Sequence, residues 1–260
     1  MKTALITGAT DGVGRVVATR LAAQGWRVLA HGRNQARGEQ LARESGATFL
    51  KADLSALAEG RRLAELVKNE TAGLQLLINN AGIGSAGPGR QVSADGHERR
   101  FAVNYLAGFL LTRLLLPQLR ENAPGRIVNV ASAGQQAIDF DDVMLTRGYS
   151  GVRAYCQSKL AQILFTIDLA DALAGSGIVA NCLHPSTYMN TTMVKQSGTT
   201  PISSVETGAD AILQLAVSPK LEGKSGLYFN VMNESRASSQ AYDTKARAQL
   251  RKLSCELTGL

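Results

Sequence analysis

Short apolar runs alternate with longer amphipathic segments along almost all of this 260-residue chain. The runs that have the character of strands are Thr3–Thr7, Arg27–Ala30, Thr48–Lys51, Leu74–Asn79, Arg126–Val130, Ile178–Leu183 and Gly226–Asn230. The segments with helical periodicity are Val13–Gln24, Gln35–Glu44, Leu57–Lys68, Arg99–Glu121, Val152–Leu173, Ser204–Val217 and Ser238–Leu257. Strands that alternate with helices of this length pair in parallel through right-handed crossovers. The pattern predicts a single doubly wound α/β domain over residues 1–260, with a parallel seven-stranded sheet flanked by helices on both faces.

The composition fits one domain in a reducing compartment. Hydrophobic residues make up 45% of the chain, and no proline- or serine-rich linker divides it. The three cysteines are widely spaced, and neither they nor the three histidines have the spacing of metal ligands. The chain starts directly with a strand pattern rather than a secretory signal. We therefore expect a cytoplasmic protein that holds no metal.

Charge and hydropathy narrow the range of partners. The net charge of +7 comes from arginines spread along the chain, without an aromatic RNA motif or zinc-finger spacing. Some of these arginines are better explained as neutralising a phosphorylated cofactor or an acidic partner. The most apolar stretch, Phe101–Leu119, is interrupted by Asn104, Arg113 and Pro117, which indicates a buried helix rather than a membrane span. We expect neither a nucleic-acid partner nor a membrane.

The segment Tyr155–Lys159 carries residues suited to proton transfer. On a helix, residues four apart lie on the same face, so the Tyr155 phenol would lie beside the Lys159 ammonium. A neighbouring cation favours the phenolate and would lower the pKa of Tyr155 from its ordinary value near ~10. Such a tyrosine can protonate a developing alkoxide and take the proton back in the reverse reaction. Alone, the spacing is also that of an ordinary helix with an exposed lysine.

A glycine-rich turn lies between the first strand and the first helix. The segment Thr7–Gly14 has the spacing G-x-x-x-G-x-G. Glycines at this position allow a pyrophosphate to approach backbone N–H groups at the positive end of a helix. The segment therefore predicts a dinucleotide site, and the residues we assign to it here are Gly8, Thr10, Asp11, Gly12, Val13 and Gly14.

The end of the second strand indicates which dinucleotide is preferred. Enzymes that select NAD commonly have an acidic residue about 20 positions after the glycines, to hold the ribose hydroxyls. This chain has Arg33 there instead, which could pair with a ribose 2′-phosphate. Arg15 and Arg37 are weaker candidates for the same charge. We expect NADP(H) as the preferred cofactor, with NAD(H) as the alternative.

Two further strand ends complete the predicted cofactor site. Asp53 and Leu54 follow the third strand, where a carboxylate can accept a hydrogen bond from the adenine amino group; read alone, the pair would be a helix N-cap. Small residues follow the fourth strand and suit close passage along a ribose, although the same residues also make plain turns. The residues assigned there are Asn80, Ala81 and Gly82.

Together these motifs resemble the short-chain dehydrogenase/reductase superfamily, which has a Rossmann fold. The residues that carry the resemblance, in the family's order, are Thr7–Gly14, Asn79–Gly82, Asn104, Ser132, Tyr155 and Lys159. The stretch Ala154–Thr166, together with the ending Ala241–Asp243 through Leu250 and Ser254, is similar to the retinol dehydrogenase and WW-domain oxidoreductase branch. The chain shows neither a WW domain nor a membrane anchor, so we do not expect that branch's membrane setting.

The resemblance implies the catalytic roles. Tyr155 is the general acid for ketone reduction and the base for alcohol oxidation, and Lys159 lowers its pKa and holds the nicotinamide ribose. Ser132 hydrogen-bonds the substrate carbonyl oxygen. Asn104 bends its helix and holds a water that relays protons to the lysine. Pro185 and Thr187 are expected to run beside the nicotinamide amide.

Two departures from the family pattern bear on the substrate side. The family usually has Pro-Gly after the sixth strand, whereas here Ser186 follows Pro185 and needs ordinary backbone angles. The segment Gln135–Val152 is longer than in the family's minimal members and is either a wall of the substrate pocket or a structural loop. A mobile substrate lid is expected at about 187–205.

Three functions are compatible with these motifs. The leading one is an NADP(H)-dependent oxidoreductase that acts on a carbonyl or secondary alcohol of a small lipophilic or aromatic molecule. The alternative is a reductase of 3-oxoacyl or polyketide chains tethered to a carrier protein. A regulator that binds a nucleotide without catalysis would have little need for the four expected catalytic residues. The resemblance also implies a homodimer or homotetramer, formed through the helices Arg99–Glu121 and Val152–Leu173.

Overall fold

A computed structural model describes residues 1–87 and 89–260 of the chain. The described strands are β1 (Thr3–Ile6), β2 (Arg27–Gly32), β3 (Thr48–Lys51), β4 (Leu76–Asn79), β5 (Gly125–Val130), β6 (Ile178–His184), β7 (Tyr228–Asn230) and β8 (Asn233–Ser235). They form one sheet in the order β3-β2-β1-β4-β5-β6-β7-β8. The order reverses between β1 and β4, as in a doubly wound sheet, so the carboxyl ends of these strands border a crevice.

The predicted α/β class is confirmed, but the prediction of seven strands is wrong by one. The strands from β1 to β7 pair in parallel, whereas β8 pairs antiparallel with β7. The two-residue loop Val231–Met232 makes this hairpin, and Val231 has a φ of 56°. A positive φ at the first loop residue is typical of tight hairpin turns, but valine gives no sequence signal for it.

Helices cover both faces of the sheet. They are α1 (Gly12–Ala23), α2 (Gln35–Ser45), α3 (Leu57–Glu70), α4 (Arg99–Phe101), α5 (Ala107–Glu121), α6 (Gly151–Ala172), α7 (Thr192–Gln196), α8 (Val205–Val217) and α9 (Thr244–Thr258). One core lies under α1, α2 and α8, and the other under α3, α5, α6 and α9. Short 3-10 turns occur at Pro219–Leu221 and Ser239–Tyr242.

The segment Arg99–Glu121 is long and apolar enough to cross a membrane by length and composition alone. However, 78% of its apolar window is buried inside the protein, where α5 packs against α3. The prediction of a buried helix is therefore confirmed. The helix is not regular, because a π-helical turn occupies Ala102–Leu106 and separates α4 from α5.

The C-terminal helix begins later than the predicted Ser238. Asp243 caps α9 by accepting hydrogen bonds from the backbone N–H groups of Lys245 and Ala246, at 2.8 and 3.4 Å. A capping carboxylate at this position satisfies the free N–H groups of the first turn and fixes where the helix starts. The preceding residues Ser239–Tyr242 form a 3-10 turn instead.

The helix α9 lies against α6 and the π-helical turn. Leu250 on its inner face is 1% exposed. Its polar contacts join Ser254 to Tyr105 at 2.6 Å, Arg251 to Asp168 at 2.7 Å, and Arg247 to Asp171 at 2.6 Å. With α9 in place, the residues of α6 that remain exposed are Val152, Asp171 and Ala172. The face of α6 that was expected to meet a partner subunit is thus covered by the chain itself.

Candidate active site

The glycine-rich turn packs against the end of β4 without room for side chains. Gly8 has a φ of 65°, and a Cβ there would lie 2.8 Å from the Cα of Ala81. A Cβ on Gly14 would lie 2.3 Å from the carbonyl oxygen of Gly8. The amide of Asn80 donates to the carbonyl oxygens of Thr7 and Gly8, at 2.9 and 3.0 Å. The turn and the β4 end therefore form one rigid unit, with the N-terminus of α1 beside it.

His31 supports the same turn from β2, a role for which its sequence context gives no signal. Its Nδ1 accepts a hydrogen bond from the Gly8 N–H at 3.2 Å, and its Nε2 lies 3.1 Å from the Ala52 carbonyl oxygen. These contacts fit a neutral imidazole with its proton on Nε2. Burial lowers the pKa of His31 to about 4, although the Ala52 carbonyl opposes the change. The ring is therefore neutral at physiological pH and links three strands.

Two arginines that line the cleft near Asp53 have no carboxylate partner among the described residues, Arg33 and Arg99, and Arg99 donates to Oε1 of Gln91 at 2.6 Å. Among the described residues, Arg33 forms no salt bridge, whereas Arg37 pairs with Asp11 at 2.8 Å and Arg15 pairs with Glu44. Arg33 is exposed and shares a shallow pocket with Asp53. The sequence analysis preferred Arg33 from its position after the second strand, but it could not show the ion pairs of Arg15 and Arg37, which depend on tertiary packing.

Asp53 lies where the third strand reaches this pocket. Partial burial raises the pKa of Asp53, but hydrogen bonds from Ser55 and the nearby charge of Arg33 outweigh this, so its pKa lies below the usual range. The carboxylate accepts the Ser55 N–H at 3.0 Å. It is therefore ionised and available as an acceptor at the edge of the cleft, in line with its predicted place there.

Tyr155 lies on the first part of α6, which Ser150 caps. It lies near Ser132, whose hydroxyl accepts the Gly134 N–H at 3.0 Å. Burial raises the pKa of Tyr155 above its ordinary value, and only the neighbouring Ser132 hydroxyl opposes this. The expectation that Lys159 lowers the pKa of Tyr155 is therefore wrong for the free protein, because desolvation of the phenol dominates.

Lys159 is itself buried, with 5% of its surface exposed. Its ammonium donates to the carbonyl oxygen of Val130 at 2.8 Å and to Oε1 of Gln162 at 2.9 Å. The Nζ atom lies 5.8 Å from the centre of the Tyr155 ring. Burial lowers the pKa of Lys159 to about 7, so its charge near the phenol depends on pH in the neutral range. Gln162 is a second residue absent from the predicted site, although it lies one turn beyond the lysine.

Asn104 lies inside the π-helical turn, so the local bend implied by the family resemblance is present. Its Oδ1 accepts the Ile83 N–H at 2.8 Å, and its Nδ2 donates to the Ile83 carbonyl at 3.1 Å and to Ser158 at 2.9 Å. The side chain thus joins the end of β4 to α6 just behind Gly82. Its proposed role in holding a relay water stays a prediction.

The loop after β6 follows a different path from a Pro-Gly turn. Pro185 lines the cleft, but Thr187 is not among the described residues that do. The Thr187 hydroxyl instead lies 3.0 Å from Nε2 of His184. The chain takes a positive φ of 44° at Tyr188, two residues beyond the position of the family's glycine. The assignment of Thr187 to the cofactor site stays a prediction.

The expected lid contains a short helix, α7, that lies over the cleft. A Cβ on Gly12 would lie 3.2 Å from the methyl carbon of Thr191, and a Cβ on Gly84 would lie 2.9 Å from Cγ of Met193. The lid thus reaches both the glycine-rich turn and the segment after β4. At its base, Met189 forms a bridge with Ser203. Five lid residues that line the cleft are absent from the predicted site, namely Met189, Thr191, Thr192, Met193 and Gln196.

The structure brings most of the predicted residues together in one cleft of about 880 Å³. This is a typical size for a site that holds a small molecule or cofactor. The predicted residues that line it are Gly8, Thr10, Asp11, Gly12, Val13, Gly14, Arg33, Asp53, Leu54, Asn80, Ala81, Gly82, Tyr155, Lys159 and Pro185. The crowded glycines and the helix N-terminus fit a dinucleotide pyrophosphate. Asn104 and Ser132 lie buried behind this lining.

Comparison with known proteins identifies the class. A family model described as short chain dehydrogenase matches residues 2–201. The chain is 36% identical to human retinol dehydrogenase 12 over 277 residues, covering 100% of this chain and 87% of that protein. It is 36% identical to human retinol dehydrogenase 13 over 286 residues, covering 100% of this chain and 85% of that protein.

Solved structures also align with this chain over most of its length. A protein described as putative uncharacterized from Mycobacterium paratuberculosis aligns with a TM-score of 0.82 at 31% identity, covering 99% of this chain and 93% of the other. The Brucella melitensis 3-ketoacyl-(acyl-carrier-protein) reductase, solved with NADH, aligns with a TM-score of 0.71 at 29% identity, covering 88% and 96%. The RhlG/NADP complex from Pseudomonas aeruginosa has a TM-score of 0.71 at 26% identity, covering 88% and 94%.

The chain therefore belongs to the short-chain dehydrogenase family. It is an oxidoreductase that acts on CH–OH or C=O groups with NAD(P). Within the family, it belongs to the branch that resembles the retinol dehydrogenases.

The neutral imidazole of His31 gives a testable pH dependence. The pKa of His31 is lower in the folded protein than the value of about 6.5 in an unfolded chain. The contribution of neutral His31 to folding stability is thus complete above pH 6.5 and is lost as the pH falls from 6.5 to about 4. Over this pH interval, we expect the free energy of unfolding to fall by roughly 3 kcal/mol more in the native protein than in His31→Gln. Urea denaturation at several pH values measures the difference.

Glutamine can still accept from Gly8 and donate to Ala52, but it does not titrate. His97→Gln is the matched control, because it removes a histidine from a loop away from the glycine-rich turn. Equal pH slopes for the native protein and His31→Gln would contradict the assigned role of His31.

Proposed function

We propose that the protein is an NADP(H)-dependent oxidoreductase that interconverts a lipophilic carbonyl compound and its alcohol. The observation that carries the proposal is one cleft with the Tyr155 phenol at one end and the exposed Arg33 at the other. When bound, the nicotinamide ring supplies or accepts the hydride. The protein positions the substrate and moves the proton.

The proton chemistry rests on three side chains. The pKa of Tyr155 lies above its ordinary value, so the phenol is protonated at neutral pH and can donate to a carbonyl oxygen as it becomes an alkoxide. The Ser132 hydroxyl beside it can donate a second hydrogen bond to the same oxygen, which stabilises developing negative charge. A protonated Lys159 stabilises the phenolate that remains. Since the pKa of Lys159 is about 7, we infer that this support weakens above neutral pH in the free protein.

Tyr155→Phe tests the acid assignment. Removal of the hydroxyl should lower turnover by about 10²- to 10⁴-fold, because a positioned general acid contributes roughly that much. NADPH binding, followed by the fluorescence of the reduced nicotinamide, should be retained because the glycine-rich turn is untouched. A variant with native turnover would refute the assignment.

The cofactor preference follows from the charges at the adenosine end. Arg33 is exposed and has no carboxylate partner among the described residues, so its guanidinium is free to pair with a 2′-phosphate. The other two candidates for this charge are already paired, Arg37 with Asp11 and Arg15 with Glu44, and Arg99, which also lines the cleft, donates to Gln91. This arrangement supports NADP(H) over NAD(H).

Arg33→Asp should weaken the use of NADPH by about 10- to 100-fold, because charged hydrogen bonds contribute roughly 1.5–3 kcal/mol. The use of NADH should improve or stay unchanged, since an aspartate can accept from ribose hydroxyls. Steady-state kcat/KM for both cofactors measures the switch. Arg43→Asp is the matched control, because Arg43 is exposed on α2 and lies outside the cleft lining. Equal effects of the two variants would rule out the phosphate assignment.

The substrate class is proposed from relatives and from the lid. Proteins named retinol dehydrogenase and polyprenol dehydrogenase are 35–36% identical to this chain. On the lid, Tyr188 and Ile202 expose 52% and 70% of their surface, and Met193 lines the cleft. Apolar side chains at this entrance suit a lipophilic aldehyde or ketone. Comparing NADPH consumption with free all-trans-retinal and with carrier-tethered 3-oxoacyl chains separates this proposal from the carrier-protein alternative.

A cytoplasmic location, with neither a nucleic-acid nor a membrane partner, remains part of the proposal. It rests on arginines that are spread along the chain without a clustered basic motif and on three widely spaced cysteines, which suit a reducing compartment. The burial of the most apolar helix inside the domain is consistent with it.

The expected homodimer or homotetramer would form through α5 and α6. The helix α9 covers α6, and the residues of α5 that remain exposed are Arg113, Pro117, Arg120 and Glu121. A partner that used α6 would have to displace the contacts of α9, and the exposed residues of α5 are three charged side chains and one proline, which offer a partner little apolar surface. We therefore propose that the chain is a monomer while α9 is docked.

Light scattering coupled to size exclusion should give a mass near 27.5 kDa for the native chain across a wide range of concentrations. Leu250→Asp places a charge on the buried face of α9 and should release the helix, which exposes apolar surface and produces larger species. Lys252→Asp, on the exposed face of the same helix, should stay monomeric. A stable dimer of the native chain would overturn the proposal.

A further inference from the structure

The segment that follows Ser132 has little regular structure, yet it forms one side of the active site. Residues 133–150 contain no described helix or strand. Such a segment needs hydrogen-bond partners for its backbone, because internal ladders do not provide them. Many of the partners lie within the segment, where Asp139 and Asp142 accept from nearby backbone N–H groups, but those of Ile138 come from the C-terminal part of the chain.

Gln135 connects the Ser132 backbone to this C-terminal part. Its Nε2 donates to the Ser132 carbonyl oxygen at 3.0 Å, and its Oε1 accepts the Ser238 N–H at 2.7 Å. The Tyr228 hydroxyl also donates to the Ser132 carbonyl, at 3.3 Å. The position of Ser132 is therefore fixed by residues more than 90 positions away in the sequence as well as by its own strand.

Gln240 makes a second connection to the same segment. Its Oε1 accepts the Ile138 N–H at 2.7 Å, and its Nε2 donates to the Ile138 carbonyl at 3.1 Å. One amide thus satisfies both backbone groups of a residue that is 4% exposed. The next residue, Ala241, is fully buried in the core, which anchors the 3-10 turn that presents Gln240.

We propose that Gln135 and Gln240 are positioning residues for Ser132 and for the adjoining wall of the substrate site. They hold residues 132–138 against the turn Ser238–Tyr242, so that the serine hydroxyl faces Tyr155 before a substrate arrives. The proposal deepens the oxidoreductase function and rests on it. It assigns the C-terminal part of the chain a role in substrate binding, in addition to its packing against α6.

Gln240→Ala tests this role in the full-length chain. Loss of two neutral hydrogen bonds should raise KM for all-trans-retinal about tenfold, with a smaller change in kcat, because the reacting groups themselves are intact. KM for NADPH should not change, since the glycine-rich turn lies elsewhere. Gln249→Ala, on the exposed face of α9, is the matched control and should behave as the native enzyme. An unchanged KM for the aldehyde in Gln240→Ala, with native activity present, overturns the proposal.

Gln240→Glu provides a readout that simple loss of stability would not change. An ionised carboxylate can still accept from the Ile138 N–H, but it repels the Ile138 carbonyl oxygen. A protonated carboxyl can donate to that oxygen and so restores the native pair. The ratio of kcat/KM of this variant to that of the native enzyme should therefore rise as the pH is lowered from 8 to about 5, toward the carboxyl pKa. A ratio that is constant with pH counts against the proposal.

Hydrogen exchange separates failure of this proposal from failure of the oxidoreductase function. Gln240→Ala should speed exchange of the backbone amides in residues 132–138 and leave those in β1 and α1 unchanged. This measurement needs no turnover. Faster exchange throughout the chain, or an unchanged exchange rate in residues 132–138, would show that the glutamine does not hold this wall.

Discussion

The close packing of the glycine-rich turn against the end of β4 is the constraint on which the site depends. A Cβ on Gly14 would lie 2.3 Å from the Gly8 carbonyl oxygen, so no larger residue fits without moving the backbone. Asn80 and His31 then satisfy the polar groups that this packing buries. Because these contacts join β1, β2 and β4, the floor of the cleft is as rigid as the sheet itself. The reacting groups on α6 can therefore be placed relative to a fixed surface.

Burial determines the pKa values of Tyr155 and Lys159 at the other end of the cleft. The same desolvation raises the pKa of Tyr155 and lowers that of Lys159, so each change favours the neutral form. The Val130 carbonyl and Gln162 offset part of the cost of burying the lysine. A site with these properties keeps the phenol protonated until an oxygen that can take the proton is present. The protonated phenol is the form that can donate a proton in the proposed carbonyl reduction, and the lysine charge matters most once the phenolate forms.

The sequence predicts the local elements well because their signals are local. Alternating apolar runs locate the first seven strands, and glycines after β1 locate the cofactor turn. The features that it misses depend on contacts between distant residues. The strand β8 follows a hairpin with valine at a positive φ, and the salt bridge of Arg37 with Asp11 joins residues from different elements. The sequence predicts the wrong direction for the pKa of Tyr155, because spacing along a helix indicates a neighbouring charge but not how deeply the phenol is buried.

The C-terminal part of the chain both covers α6 and supports the wall of the substrate site beside Ser132. Its helix covers α6 through Leu250 and the pairs that join Arg247 and Arg251 to aspartates of α6. The turn just before that helix holds Ile138 through Gln240. Since Asp243 caps the helix directly after this turn, the two contacts are made by one continuous, rigid unit. Displacement of the helix would therefore loosen the wall beside Ser132, so the proposed monomeric state and the shape of the substrate site would depend on the same contacts.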